Sequence, residues 1–508
     1  MQKLKSSPHA GVLWSLLCIV LLTRLIVFGV NVRRDNPRFF VPDSFSYIQT
    51  AQSLYEHVGI LDNAGRPDWG RVPAYPVLLA LTYATKIASP QRSQGAVFVQ
   101  CILGALVVLI AARLSRALPG NRGVLPVGLL LAMEPSAIAY SNLILSEMPY
   151  ALALLLAFLA WERYLILQNT LSLLWFAAAL GVLPLIRPIG QFFPLAVLPV
   201  LVWARWGRPG MLRAIVLFVL VAISPAAVWS WRNYSALGTF TLHSTGPWAQ
   251  AIFAHDVERR IGCSIGPTTG DFIKPWESGF GYDQGLTPRE IVAVQTGYFR
   301  DTVVAHPRAA AQQLVTTSLL LMGVPDSSLA AILLEHPPAV PAGSVRNRIL
   351  WVAELGPLAP FVALGVVISL GGLVAIPGLL ASWRRWESMT RKVLAFVVLT
   401  VIYHWAFASF VLSQGERYRV PIIPFLALLL TSGLGLLMRR RELHCEACAT
   451  SCHRTWMVTG RFFRLSSRCK ALSDGLVTFF RRYRERSGGR GEAVQAKSAR
   501  VGGDAPTA

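Results

Sequence analysis

The sequence predicts an all-α polytopic membrane protein with about ten transmembrane helices on a hydropathy criterion. Three observations carry that prediction. Hydrophobic residues make up 54% of the 508 residues and charged ones only 15%. Mean hydropathy is +0.48. Apolar runs long enough to cross a bilayer recur along the chain. The formal charge of +22 does not point to nucleic acid, because many Arg residues sit in short connections between apolar runs, where membrane topology puts cations. Seven Cys form no extracellular disulfide framework: the count is odd, and Cys18 and Cys101 lie inside apolar runs, where a small buried thiol is ordinary.

Taken in order, the first run, Gly11 to Val30, follows Lys3 and Lys5 and lacks a small-x-small cleavage site, so it reads as an uncleaved first span. Ser93 to Arg113, Gly123 to Tyr140 and Met148 to Ile166 follow. Leu171 to Trp206 is too long for one helix and is divided at Arg187-Pro188, which predicts a helical pair meeting at the membrane surface. Met211 to Trp229, Leu355 to Ser382, Val393 to Leu412 and Val420 to Met438 complete the set. A transmembrane domain over 1–438 is followed by a basic tail over 439–508, whose Gly-, Ser-, Ala- and Arg-rich end is expected to be disordered.

Lys and Arg orient the spans. Arg113, Arg116 and Arg122 form one basic connection, Arg205, Arg208 and Arg213 another, and Arg384, Arg385, Arg391 and Lys392 a third. All fall on one side, with Lys3, Lys5 and Arg439 to Arg441, so both termini are expected in the cytoplasm. Two long segments, about 31–91 and 233–349 by the same charge rule, then lie outside. The first opens with a surface amphipathic helix running from Asp43 through Ala51 and Leu54. The second is expected to contain short helices such as Pro288 to Val303 and Ala309 to Leu321, with the apolar Leu314 to Val324 set against the membrane or inside the loop.

Two carboxylates stand at outer helix starts. Asp43 is either an N-cap or a carboxylate placed to take a proton from a hydroxyl. Glu147, in Leu145-Ser146-Glu147-Met148-Pro149, either favours the helix dipole or joins Asp43 as a base or metal pair. Cations beside the outer ends of spans run against the topological bias, yet Arg71, Arg187, Arg232, Arg417 and Arg419 are all expected there, each with Pro or an aromatic neighbour. Such residues snorkel to headgroups, or they cluster around a lipid phosphate through forked, charge-assisted hydrogen bonds.

Taken together, Asp43-Ser44 with Tyr47 and Ala51, Arg71 to Pro76, Ser146-Glu147, Arg187-Pro188, Trp231-Arg232-Asn233 and Arg417 to Pro421 form an ordered set. That set resembles the GT-C class of lipid-phosphate-dependent membrane transferases, especially bacterial relatives of protein O-mannosyltransferases and of the lipid A aminoarabinose transferase. The resemblance implies inverting sugar transfer from a polyprenyl-phosphate donor to a lipid, glycan or protein acceptor on the outer face, in the plasma (inner) membrane if the source is bacterial. It makes Asp43 the base or acceptor-orienting carboxylate, assisted by Glu147, with Arg71, Arg187, Arg417 and Arg419 neutralising phosphate charge. Tyr47, Tyr75 and Arg232 become substrate-contact candidates, and His243, which stands outside these motifs soon after the seventh span, reads on its own as a metal ligand or a substrate contact. Ser44 stands where the protein mannosyltransferase pattern has a second acidic residue, which leaves acceptor type and metal open.

A divalent cation is the one cofactor the sequence leaves open, with Glu147 and His243 as its candidate ligands. The tail carries His444, Cys445, Cys448, Cys452 and His453, which depart from the usual paired zinc-ligand spacing. The alternative function is a transporter or flippase of lipid-linked sugars. It calls for ionisable residues near mid-membrane, where only Arg24 and Glu134 fall, and for an internal repeat, which is not evident.

Overall fold

The computed structural model describes residues 10–439, apart from 35–36, 58, 63–64, 90–91, 121–123, 263–285, 336–337, 339–344 and 411–414. The chain divides after Arg439. The tail, with its Cys/His cluster and its expected disorder, lies outside the described residues, as do Lys3, Lys5 and Arg122.

Among the described residues the protein is helical, with only two isolated β-bridges. The chain runs as α1 (Ala10–Val32), α2 (Pro42–His57), α3 (Ala74–Ala84), α4 (Gln94–Leu114), α5 (Val124–Ala132) and α6 (Pro135–Ser141). It continues through α7 (Glu147–Leu167), α8 (Thr170–Ile186), α9 (Phe193–Arg205) and α10 (Met211–Leu237). A run of shorter helices follows: α11 (Thr245–Ile261), α12 (Pro288–Ala305), α13 (Pro307–Gly323), α14 (Ser328–Leu333) and α15 (Val345–Glu354). Then come α16 (Ala359–Ala381), α17 (Ser388–Ser409) and the single turn α18 (Gly415–Tyr418). The last span, α19, is Val420–Arg439.

Of these, 8 helices are long and apolar enough to cross a membrane, or 9 if the bent α5–α6 pair is one span. The tenth expected span is α8, whose 17 residues fall just short by length. The protein is thus an integral, multi-pass membrane protein. Side chains such as Trp14, Leu22, Leu220 and Val374 remain exposed on span surfaces, as a lipid-facing exterior requires. The spans are not equivalent: α19 is 72% buried and runs through the bundle interior, whereas α10 is 17% buried and lies at its edge.

Two breaks shape the bundle. The division expected at Arg187-Pro188 is present, with α8 ending at Ile186 and a short turn over Pro188–Gly190 leading to α9. The expected single span over Gly123 to Tyr140 is instead two helices meeting at 62°. Pro135 disfavours helical backbone at the preceding residue, and Glu134 turns its carboxylate onto the Ala137 N–H to start a new helix. The two expected short helices of the second long segment are present as α12 and α13. The apolar end of α13 packs against α17, where Ser318 donates to Ser409 at 2.7 Å and the Trp405 indole N–H to the Ser318 carbonyl at 3.1 Å.

Candidate active site

The site begins with α2, whose buried face carries Ser44, Tyr47, Thr50 and Ala51 at helical spacing. Ser44 Oγ donates to the Ile144 carbonyl at 2.9 Å, and the Tyr47 hydroxyl lies 3.1 Å from Ser146 Oγ. These bonds pin α2 against the turn that leads into α7, so Asp43 in the first turn of α2 faces Glu147, the first residue of α7. Asp43 is therefore no simple N-cap: its oxygens go to guanidinium groups. Arg71 Nη2 donates to Oδ1 at 2.6 Å, and Arg417 Nη1 donates to Oδ2. Arg417 also donates from Nε to Glu147 Oε1, and Arg187 Nη1 pairs with that same oxygen at 2.5 Å.

Five side chains from separate parts of the sequence thus form one ionic cluster. Glu147 is fully buried, Arg187, Arg417 and Arg71 are 7%, 11% and 12% exposed, and Asp43 is 26% exposed. Three cations against two anions leave one surplus positive charge. Burial alone would raise the Asp43 carboxyl, but Arg71 and Arg417 beside it hold it well below the usual carboxylate range. Burial opposes charge on Arg417 as well, and the carboxylates of Glu147 and Asp43 outweigh it, raising the guanidinium further.

The cluster lines a cavity of about 400 Å³, a size suited to a small ligand or headgroup. Asp43, Tyr47, Arg71, Arg187, Arg417 and His243 reach it, while Phe192, Phe299, Phe407 and Phe410 supply an apolar wall. The aromatic wall has no sequence signature, since isolated Phe residues are commonplace in so apolar a chain. Tyr47 is held by Arg71, whose guanidinium carbon lies 4.5 Å from the ring centroid, and Arg187 sits similarly over Tyr418 at 5.3 Å.

Three expected contact residues serve the scaffold instead. Tyr75 is buried behind Tyr47 with ring centroids 4.8 Å apart, and its hydroxyl donates to Gln100, whose amide in turn donates to the Leu143 carbonyl. Arg232 donates to the carbonyls of Asp68 at 2.7 Å and Ile60 at 2.9 Å, strapping the first long segment to the end of α10. Arg419, expected beside Arg417 as a phosphate ligand, is fully buried, does not line the cavity, and donates to the Val324 carbonyl at 2.6 Å. The chain turns through Val420–Ile422 at this point, which sends the two arginines in different directions.

The expected cation ligands, Glu147 and His243, are both buried. Among the described residues no three His, Cys, Asp or Glu side chains come together as ligands. Glu147 Oε1 is held between two guanidinium groups, while its Oε2 is buried with no hydrogen-bond partner. His243 is buried, and its Nδ1 accepts the Gly246 N–H at 3.1 Å and contacts the Thr245 hydroxyl.

Residues 72–229 match the family model described as dolichyl-phosphate-mannose-protein mannosyltransferase. No curated protein matches the chain at a significant level. Among solved structures, the apo oligosaccharyltransferase of Archaeoglobus fulgidus aligns with 94% of this chain and 55% of its own, at 13% identity and a TM-score of 0.50. The oligosaccharyltransferase AglB of the same organism, in complex with an inhibitory peptide and a dolichol-phosphate, aligns over 93% and 55% at 14% identity and a TM-score of 0.47. ArnT from Cupriavidus metallidurans, bound to undecaprenyl phosphate, aligns over 84% and 78% at 17% identity and a TM-score of 0.37. The chain spans about 55% of the length of the oligosaccharyltransferase chains it matches. The family match takes in Glu147 and Arg187, and the chain as a whole is similar in fold to the apo oligosaccharyltransferase.

Proposed function

We propose that this protein transfers a sugar from a polyprenyl-phosphate donor to an acceptor hydroxyl, on the outer face of a plasma (inner) membrane, with inversion at the sugar carbon. The observation that carries the reading is the convergence of Arg71, Arg187 and Arg417 on one cavity, with a surplus positive charge beside an aromatic wall. A lipid-linked phosphate combines those two chemistries in one molecule: forked guanidinium groups suit its oxygens, and the wall suits its prenyl chain.

In the reaction, the acceptor oxygen bonds to the anomeric carbon as the bond from that carbon to the phosphate oxygen breaks. The phosphate monoester leaves with the electron pair, and the guanidinium groups stabilise the charge that develops on it. The acceptor's proton passes to Asp43 and then to solvent. Paired with two arginines, Asp43 is a weak base in the resting site. An incoming phosphate competes for Arg71 and Arg417, so donor binding raises the proton affinity of Asp43 when a base is needed. Glu147, buried behind Arg417 and Arg187, orients both guanidiniums and touches no substrate.

The test is purified protein in lipid, supplied with undecaprenyl-phosphate mannose and a panel of lipid, glycan and peptide acceptors, with release of undecaprenyl phosphate as the readout. Acceptor-dependent release that drops at least about 100-fold in Asp43→Asn, the scale of general-base catalysis, is expected. Equal turnover by Asp43→Asn removes Asp43 from the chemistry. Lipid moved between leaflets with no bond broken makes the protein a transporter.

A further inference from the structure

One buried polar side chain at the cavity has no task in phosphate recognition. His243 is 6% exposed, lines the cavity and lies within the field of Arg71. Its loop is fixed from both sides. The Ser244 N–H donates to the Trp69 carbonyl at 3.0 Å, and the Asn233 amide donates to the carbonyls of Thr241 at 2.8 Å and Leu242 at 3.2 Å.

The ring's tautomer follows from one contact. A backbone N–H can only donate, so the Gly246 N–H on Nδ1 requires that nitrogen to be unprotonated. Burial, aided by Arg71, pushes the imidazole down to about 3, so the ring is neutral at physiological pH. A neutral ring with a bare Nδ1 carries its hydrogen on Nε2. Gly246 also leaves that edge open: a Cβ there would lie 3.3 Å from Nε2 and 3.2 Å from Cε1.

We propose that His243 reads the sugar of the donor, its Nε2–H donating a hydrogen bond to a sugar hydroxyl oxygen. The inference rests on the polyprenyl-phosphate reading above. The sugar is bonded directly to the phosphate, so it must lie beside the arginines, where His243 is. An uncharged donor adds nothing to phosphate neutralisation that three guanidinium groups do not already supply, but it matches an uncharged hydroxyl. Trp248 also lines the cavity, from the first turn of α11, and an indole suits the apolar face of a sugar ring.

The experiment measures Kd in lipid nanodiscs for bare undecaprenyl phosphate and for its mannose, glucose and galactose conjugates. The readout is the ratio of bare to sugar-bearing Kd for the conjugate that wild type binds most tightly. His243→Asn keeps an acceptor where Nδ1 stood, so the loop retains its Gly246 bond, but it removes the Nε2–H. It should leave the affinity for bare lipid unchanged and lower the ratio roughly fivefold, the effect of one neutral hydrogen bond. Gly246→Ala, which crowds Nε2 and leaves the imidazole in place, should shift the ratio the same way. An unchanged ratio in both variants, with bare-lipid binding intact, overturns the role of His243 and leaves the phosphate reading standing. Failure of wild type to bind any of the four lipids overturns the phosphate reading, and this inference with it.

Discussion

Arg417→Gln is the most informative single change, because one guanidinium holds both carboxylates. Asp43 would retain Arg71 at 2.6 Å and Glu147 would retain Arg187 at 2.5 Å. The cluster's net charge would fall from one positive, three cations against two anions, to zero. Removing one partner of a buried pair typically costs 3–5 kcal/mol, and with a second cation left on each carboxylate we expect about 3 kcal/mol of lost stability. The effect on donor affinity is separate. A hydrogen bond to a charged group contributes about 1.5–3 kcal/mol, which predicts roughly 10- to 150-fold weaker binding of undecaprenyl phosphate. Arg417→Lys keeps the charge without the fork and should fall between. Arg419→Gln provides the contrast: its guanidinium is buried away from the cavity, so it should lower thermal stability and leave lipid Kd unchanged. Both quantities come from titration of lipid into nanodisc-held protein and from thermal unfolding of the same samples. If Arg417→Gln unfolds cooperatively and binds the lipid within about twofold of wild type, under 0.5 kcal/mol, the phosphate role of Arg417 is refuted.

Three further outcomes are expected. The ion pairs of Asp43 form above its ordinary unfolded value and break only as pH falls through its depressed folded value. kcat/KM, which reports the free protein, should therefore show no acid limb from Asp43 between about pH 5 and 8, while Arg71→Gln should move one upward; a kcat/KM–pH profile that the variant leaves unshifted refutes the coupling. His243 is held neutral by the fold, so its contribution to stability is complete above its unfolded value near 6.5 and declines as pH falls towards about 3. The slope is at most about 1.4 kcal/mol per pH unit, and His243→Asn should flatten that part of the Tm-versus-pH curve between pH 7 and 4.5; parallel curves contradict the burial argument. Gly372→Ala would place a Cβ 2.6 Å from the Leu426 carbonyl oxygen and 2.9 Å from its Cα. Backbone cannot yield there, so α16 and α19 must separate at a cost of about 1–3 kcal/mol, and an unchanged Tm refutes their close packing.

The fold and much of the cluster were legible because membrane sequences obey simple constraints. Spans are long apolar runs, and cations at the wrong ends of spans need a reason. That reason picked out Arg71, Arg187 and Arg417, and helix-start carboxylates picked out Asp43 and Glu147. The same logic could not separate Arg417 from Arg419, because a two-residue spacing says nothing about a turn at Val420–Ile422. Nor could it show Arg232 spending its donors on the carbonyls of Asp68 and Ile60, since backbone acceptors leave no mark in sequence. The bend at Glu134 was masked by apolar continuity from Gly123 to Tyr140, although Pro135 was visible. The His243 tautomer depends on one amide three residues on and has no sequence signal at all.

The bridge made by Arg417 also has a meaning in time. Its partners are separated from it by 374 and 270 residues, Asp43 and Glu147 respectively. A chain that enters the membrane from its N-terminus will have placed both carboxylates long before α18 and α19 emerge. Until then Glu147 has Arg187 and Asp43 has Arg71, so neither anion waits alone in a desolvated bundle, but the two halves of the site are not yet joined. Closure of the site therefore coincides with insertion of the last span. A nascent chain halted before Arg417 would hold a membrane bundle whose two carboxylates are not yet bridged.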